Sequence, residues 1–231
     1  MNQASLWAIF DFAGTLAELY PSRQQIVADY VERVSGIQVS TDVITRSYIA
    51  LDLMMHYSSV STRSIGQREE FYLKYNRCLL DMLGLTHLVN PKGLLSAFNE
   101  HETHWQLKRG ALDVLISLQR KGYCIGIISN FDSCLEQIVY DRLKLSGIID
   151  HVYVSQTEGV EKPNPKFYER FFQKHNIEKS NSFYVGDSYV LDFVPATAIG
   201  LKAWLFDEFN FYSDFPERIK KLNELSQYKM V

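Results

Sequence analysis

The stretch LWAIFDFAGT, residues 6–15, decides the fold class of this chain. Its five apolar residues at 6–10 predict a buried strand that ends directly at Asp11 and a glycine-containing turn. Parallel α/β sheets carry their chemistry at the carboxyl ends of the strands. We therefore expect the Asp11 carboxylate at a functional edge of such a sheet.

The chain after residue 109 alternates predicted helices with predicted strands. The strands are expected at 123–129, 151–154, 182–186 and 202–206, and the helices at 109–121, 132–146, 165–175 and 190–199. This alternation indicates parallel strands with helices on both faces. The predicted fold class is α/β, a doubly wound parallel sheet with a Rossmann-type core. We expect the tail, 214–231, to form a polar helix that closes the sheet edge.

A helical insert separates the first strand from the others. Its predicted helices are 22–34, 41–58, 64–83 and 91–104, with almost no strand signal between them. We therefore expect a core domain of residues 1–16 and 106–231 and a helical cap domain of residues 17–105. An insert that follows Asp11 so closely is expected to act as a lid over the carboxyl edge.

Composition argues against several classes of partner. The net charge is −3, and no run of Lys and Arg forms a basic patch, so no nucleic acid is expected as partner. The apolar runs are shorter than the ~18 residues that span a bilayer, and the first residues lack the basic start of a signal peptide. We expect a cytoplasmic protein without a membrane partner. Its oligomeric state is not indicated.

Three further motifs follow Asp11 along the chain. Ile127-Ile128-Ser129-Asn130 ends the second apolar strand, Lys162-Pro163 lies in a loop, and Val185-Gly186-Asp187-Ser188 precedes Asp192. From about residue 6 to 206, these motifs resemble the four motifs of the haloacid dehalogenase (HAD) superfamily of phosphatases and related hydrolases. The resemblance implies a HAD-like core with a helical C1-type cap inserted between the first two motifs.

The first and last motifs supply carboxylates for phosphoryl chemistry. The Asp11 carboxylate can attack phosphorus and give an aspartyl phosphate, and the resemblance assigns the nucleophile to the same residue. A carboxylate and a phosphate repel each other, so Mg²⁺ is expected between them, bound by Asp11 and Asp187. Asp192 is expected to orient or join this metal site. The resemblance implies the backbone carbonyl of Ala13 as a further ligand.

The remaining motif residues are expected to position the substrate. Ser129 can donate a hydrogen bond to a phosphoryl oxygen, and Lys162 can neutralise its charge. Thr15 is expected to hold Asp11 through its hydroxyl, and Asn130 to add a side-chain donor. The turn formed by Ala13 and Gly14 completes the expected substrate-binding set.

Ala13 departs from the usual phosphatase pattern, Asp-x-Asp-x-Thr, at the second Asp. In that family this Asp protonates the leaving group and activates water, a role worth ~10²- to 10⁴-fold in rate. The preferred hypothesis is a Mg²⁺-dependent hydrolase of a small phosphorylated metabolite. The acid would come from the substrate or from a cap histidine, or the reaction would proceed without one. The cap histidines are His56, His87, His101 and His104.

Two alternatives remain open. Phosphonoacetaldehyde hydrolase also has Asp-x-Ala-Gly-Thr in its first motif, and this resemblance implies a phosphonate substrate as one alternative. That enzyme forms an imine with an early cap lysine, whereas this chain has no lysine between Thr15 and Lys74, which disfavours the phosphonatase. The other alternative is a catalytically weak or inactive member that binds phosphate without appreciable turnover.

Overall fold

The computed structural model of the chain describes residues 5–55 and 65–227, with residues 65–68 and 227 described only by their backbone. The strands are β1 (Leu6–Phe10), β2 (Ala17–Tyr20), β3 (His104–Leu107), β4 (Tyr123–Ser129), β5 (His151–Val154), β6 (Ser182–Gly186), β7 (Lys202–Phe206) and β8 (Arg218–Ile219). Six of them form one sheet in the order β5-β4-β1-β6-β7-β8, with every neighbouring pair parallel. The predicted α/β fold with a doubly wound parallel sheet is confirmed.

The helices are α1 (Arg23–Ser35), α2 (Thr41–Met55), α3 (Ile65–Met82), α4 (Pro91–Glu100), α5 (Ala111–Arg120), α6 (Leu135–Gln137), α7 (Ser155–Glu158), α8 (Pro165–His175) and α9 (Val194–Ala198). A π-helical turn, Ile138–Arg142, continues α6, and another, Tyr189–Phe193, precedes α9. None of the helices within 5–55 and 65–227 is long and apolar enough to cross a membrane.

Strand β1 lies at the centre of the sheet because both of its faces are apolar. Ala8 and Phe10 point into one buried cluster, and Trp7 and Ile9 into the other. The first cluster includes apolar residues of α5 and α6, and the second those of α8. Phe10 pairs with Ile127 of β4 on one side and Val185 of β6 on the other. This register brings the carboxyl ends of three strands to one place.

The chain divides into two compact units. One, the core unit, comprises Met1–Glu18 and Trp105–Val231, and the other, the helical unit, comprises Leu19–His104. The domain boundaries expected from the sequence fall at 16/17 and 105/106. Within the second unit, α1 to α4 surround an apolar core of their own. The predicted helix ends at residues 58 and 64, and His56, lie outside the described residues.

Four predictions of secondary structure are wrong in detail. The helix expected at 91–104 ends at Glu100, because His101 turns to an extended backbone and the alternating sequence of β3 pairs with β2 instead. The helices expected at 132–146 and 190–199 are shorter and contain the π-helical turns. The described part of the tail, up to residue 227, forms β8 and a 3₁₀ helix, Leu222–Gln227, because the buried Asp207 carboxylate binds Arg218 at 3.1 Å and fixes the intervening loop.

Candidate active site

The carboxyl ends of β1, β4 and β6 deliver three of the predicted site residues. Asp11 follows β1, Ser129 ends β4, and Asp187 follows β6. The backbone N–H of Asp11 donates to the Val185 carbonyl at 2.9 Å, so the parallel ladder continues one residue beyond β1. The Asp11 side chain is thereby fixed at the sheet edge that the sequence predicted.

Lys162 enters this edge from the loop before α8 and is buried, with a relative accessibility of 4%. Its Nζ lies 2.6 Å from Asp11 Oδ1, 2.6 Å from Asp192 Oδ1 and 2.7 Å from the Tyr184 hydroxyl. An ammonium group carries three N–H donors, and each has an acceptor here. Two buried carboxylates and one buried ammonium therefore form an ionic cluster in which all three ammonium protons are hydrogen-bonded.

Tyr184 is a member of this cluster that sequence reasoning missed. Its hydroxyl accepts from Lys162 and donates to Asp192 Oδ1 at 2.7 Å, while its ring is fully buried in β6. In the sequence it is an aromatic residue inside an apolar strand, which indicates core packing. The available signal is chemical, since a tyrosine in the middle of a buried strand needs a partner for its hydroxyl.

Asp192 holds the loop after β6 as well as the lysine. Its Oδ2 accepts from the backbone N–H of Ser188 at 3.0 Å, while Oδ1 binds Lys162 and Tyr184. Gly186 leaves space for this side chain, because a Cβ at residue 186 would overlap the Asp192 carboxylate. Asp192 therefore connects the fourth motif to the lysine of the third.

Burial and charge act in opposite directions on the two central groups. Burial raises the pKa of Asp11 from 3.8 to about 6; the Lys162 charge lowers it, and the Asp192 charge raises it further. Burial alone would lower the pKa of Lys162, but the Asp11 and Asp192 carboxylates raise it above its ordinary value. The lysine therefore stays charged, whereas the candidate nucleophile is ionised against the cost of burial.

Hydrogen bonds converge on one oxygen of Asp11. The Ser129 hydroxyl donates to Asp11 Oδ1 at 3.1 Å, and Lys162 donates to the same oxygen. Among the side chains of the described residues, none donates to Oδ2. Both side-chain donors of the described residues therefore act on the same carboxylate oxygen.

Thr15 has a different partner from the predicted one. Its hydroxyl donates to Asp187 Oδ1 at 3.3 Å, and not to Asp11. The reason is the turn after β1, in which Leu16 and Ala17 donate backbone bonds to the Phe12 carbonyl. This turn directs Thr15 toward the end of β6, so it connects the first and fourth motifs.

The Asn130 side chain also has hydrogen-bond partners other than the predicted one. Its side-chain oxygen accepts from the Lys162 backbone N–H at 2.8 Å, and its Nδ2 donates to the Lys162 carbonyl at 3.0 Å. Both ends of the amide are therefore bound to the backbone of the third motif, whereas the sequence suggested a donor to substrate. Asn130 ties the end of β4 to the lysine loop.

Asp11, Asp187 and Asp192 form an acidic cluster that can hold a divalent cation. Each offers one carboxylate oxygen, and these oxygens lie within 4.8 Å of one another. An all-oxygen, anionic donor set suits hard divalent cations. The cluster thus fits the metal site that the sequence predicted.

Gly14 makes room for this cluster. A Cβ at residue 14 would overlap the Asp187 carboxylate, and the residue has φ +89°, which a side chain disfavours. Ala13, its neighbour, is half-buried and packs against the apolar cluster that contains Phe10. The turn after Asp11 therefore offers a methyl group and a glycine beside the candidate nucleophile.

Comparison with known proteins agrees with this arrangement. A family model described as haloacid dehalogenase-like hydrolase matches residues 8–206. The glyceraldehyde 3-phosphate phosphatase of Pyrococcus furiosus is 26% identical over 95% of this chain and 86% of its own length. The mouse haloacid dehalogenase-like hydrolase domain-containing protein 3 is 33% identical over 44% of this chain and 40% of its own length.

The fold has close counterparts among solved structures. YfnB, a HAD hydrolase of Bacillus subtilis solved with bound magnesium, superimposes with a TM-score of 0.69 at 18% identity, covering 97% of this chain and 98% of that chain. At this identity the likeness shows the fold. The family model, in contrast, covers most of the sequence. The chain therefore belongs to the haloacid dehalogenase-like hydrolase family.

Proposed function

We propose that the protein hydrolyses a small phosphorylated metabolite through an aspartyl phosphate on Asp11. The observation that carries the proposal is the buried Lys162 at 2.6 Å from Asp11 Oδ1, beside three carboxylates within 4.8 Å of one another. The buried ammonium, together with a cation held by the acidic cluster, would supply the positive charge that an incoming phosphate needs. The phosphatase name of the relative from Pyrococcus furiosus supports a small phosphorylated molecule as substrate.

The metal proposed for the acidic cluster is Mg²⁺. Asp11, Asp187 and Asp192 would hold it, and the backbone carbonyl of Ala13 is the further ligand that we propose. Mg²⁺ binds through a few carboxylate oxygens and keeps several waters, which suits a cluster with few protein donors. When bound, it supplies charge that reduces the repulsion between the carboxylate and the phosphate.

The residues of the chain have separate roles in this proposal. Asp11 attacks phosphorus with the oxygen that no described side chain holds. Ser129 and Lys162, which bind the other oxygen, are placed to donate to the phosphoryl group as it arrives. Thr15 and Asn130 act as positioning residues, since their bonds go to Asp187 and to the Lys162 backbone.

The test is release of phosphate from a panel of phosphorylated metabolites and p-nitrophenyl phosphate, with Mg²⁺ or with EDTA. We expect Mg²⁺-dependent turnover and an acid-stable protein adduct of one phosphoryl group that maps to Asp11. The control is Asp11→Asn, which keeps the side-chain shape and removes the nucleophile. Phosphate release that persists in Asp11→Asn would refute the assignment of the nucleophile. Binding of phosphate without turnover of any ester would identify an inactive member.

A further inference from the structure

The protons of the core side chains around Asp11 are hydrogen-bonded to other groups. The two donors among them that would turn to the substrate, Ser129 and Lys162, would bind phosphoryl oxygens and not the leaving group. Lys162 donates all three of its protons, to Asp11, Asp192 and Tyr184. The hydroxyl protons of the neighbouring side chains go to carboxylates, and the side-chain amide donates to a backbone carbonyl; these residues are Thr15, Ser129, Tyr184 and Asn130. In the described part of the core unit, one further hydroxyl lies beside these residues, that of Ser188. It is an alcohol and therefore a weak acid.

The carboxylates of the cluster accept protons and do not supply them. Asp192 receives Lys162, Tyr184 and the Ser188 N–H, and Asp187 receives Thr15. The turn after Asp11 adds nothing, because Ala13 ends in a methyl group and a side chain at Gly14 would overlap Asp187. Within the described residues of the core unit there is therefore a nucleophile and a charged phosphate site, but no acid ready to protonate a leaving group.

We propose that the substrates of this enzyme carry weakly basic leaving groups, as in acyl, enol and aryl phosphates or phosphoric anhydrides, and are not esters of simple alcohols. This inference rests on the proposed function. It names the class of phosphate compound that the same site can cleave.

The bond changes explain the restriction. In the first step an Asp11 oxygen bonds to phosphorus, and the bond from phosphorus to the leaving oxygen breaks with its electron pair on that oxygen. A carboxylate, enolate, phenolate or phosphate departs as a stable anion, whereas an alkoxide must take a proton as the bond breaks. In the second step water bonds to phosphorus, the bond to the Asp11 oxygen breaks, and the water proton goes to solvent.

The experiment measures how kcat/KM depends on leaving-group basicity at fixed Mg²⁺ and pH. The panel contains acetyl phosphate, aryl phosphates from nitrophenyl to phenyl, and glyceraldehyde 3-phosphate as the alcohol ester. Without an acid, kcat/KM should fall steeply from the weakest to the most basic leaving group. An acid is worth about 10²- to 10⁴-fold for basic leaving groups and little for weakly basic ones.

Two variants at residue 13 supply the matched comparison. Ala13→Asp introduces a carboxyl group two residues after the nucleophile, and we expect it to raise kcat/KM for the alcohol ester by about 10²- to 10⁴-fold. It should raise kcat/KM for the nitrophenyl ester by less than about tenfold. The dependence of kcat/KM on leaving-group basicity should therefore become shallower. Ala13→Asn has the same shape without a transferable proton and should leave the dependence steep. Circular dichroism establishes that each variant is folded.

The outcomes separate this inference from the proposed function. A shallow dependence in the parent protein overturns the inference alone, because it shows an acid supplied from elsewhere, such as the helical insert. Failure to cleave any compound of the panel overturns both. A steep dependence in the parent supports the inference even where a variant does not fold.

Discussion

Replacing Asp11 with Asn should stabilise the protein against unfolding at neutral pH in the absence of divalent cations. Burial raises the pKa of this carboxyl from 3.8 to about 6, so its ionised form is less stable in the folded chain than in the unfolded one. A pKa difference of one corresponds to about 1.4 kcal/mol, which gives about 3 kcal/mol at pH 7.5 as an upper value. Asn resembles the protonated acid in shape and charge and avoids this cost.

The pH dependence fixes the sign of the effect. Because the pKa of Asp11 is raised by folding, its contribution to stability is fully present below pH 3.8 and is lost as the pH rises through about 6. The variant and the parent should therefore have similar free energies of unfolding near pH 4. The difference should reach about 3 kcal/mol above pH 7, equivalent to about 6–12 °C in Tm for a protein of this size.

Urea unfolding followed by tryptophan fluorescence is a suitable assay. The chain has three tryptophans, Trp7, Trp105 and Trp204, and all of them belong to the core unit that contains Asp11. Measurements run from pH 4 to pH 8 in EDTA. The matched control is Asp214→Asn, a change of the same chemistry at an exposed position. An Asp11→Asn protein that is no more stable than the parent at pH 7.5 would refute the reasoning.

Three further predictions concern the metal, the tyrosine and the alternative chemistry. Asp187→Asn should weaken Mg²⁺ binding measured by calorimetry, since it removes one carboxylate of the cluster; unchanged affinity would show that the metal binds elsewhere. Tyr184→Phe should lower the free energy of unfolding by about 1–3 kcal/mol, because one Lys162 proton loses its acceptor in a buried site; a neutral effect would mean that water replaces the hydroxyl. Borohydride treatment with phosphonoacetaldehyde should add no mass, and a reduced adduct on Lys74 or Lys92 would favour the phosphonatase hypothesis.

Much of the core fold could be predicted because its strands are short apolar runs between clear helix signals. The predicted bounds 123–129, 151–154, 182–186 and 202–206 match β4 to β7 in the structure. Parallel strands buried on both faces give strong local signals. The pair formed by β2 and β3 was missed because each strand has four residues and its partner is more than 80 residues away.

The candidate site could be predicted as a set of residues but not as a set of contacts. Parallel strands end at the same edge of a sheet. The proximity of Asp11, Ser129 and Asp187, which lie at the ends of three such strands, therefore follows from the topology. The bonds of Thr15 and Asn130 depend on turn geometry and loop path, which spacing along the chain does not define. Their actual partners, Asp187 and the Lys162 backbone, became evident only from the structure.

The amide of Asn130 imitates a peptide group, because it accepts from the N–H and donates to the C=O of one residue, as a neighbouring strand would. The backbone of Lys162 is thus anchored by two neutral bonds, and its ionic contacts involve only the far end of the side chain. Salt screens charges more than such neutral bonds. The bonds that position the Lys162 backbone are therefore independent of the ion pairs that its ammonium makes. The ionic groups of this site can consequently be redesigned while the loop keeps its path.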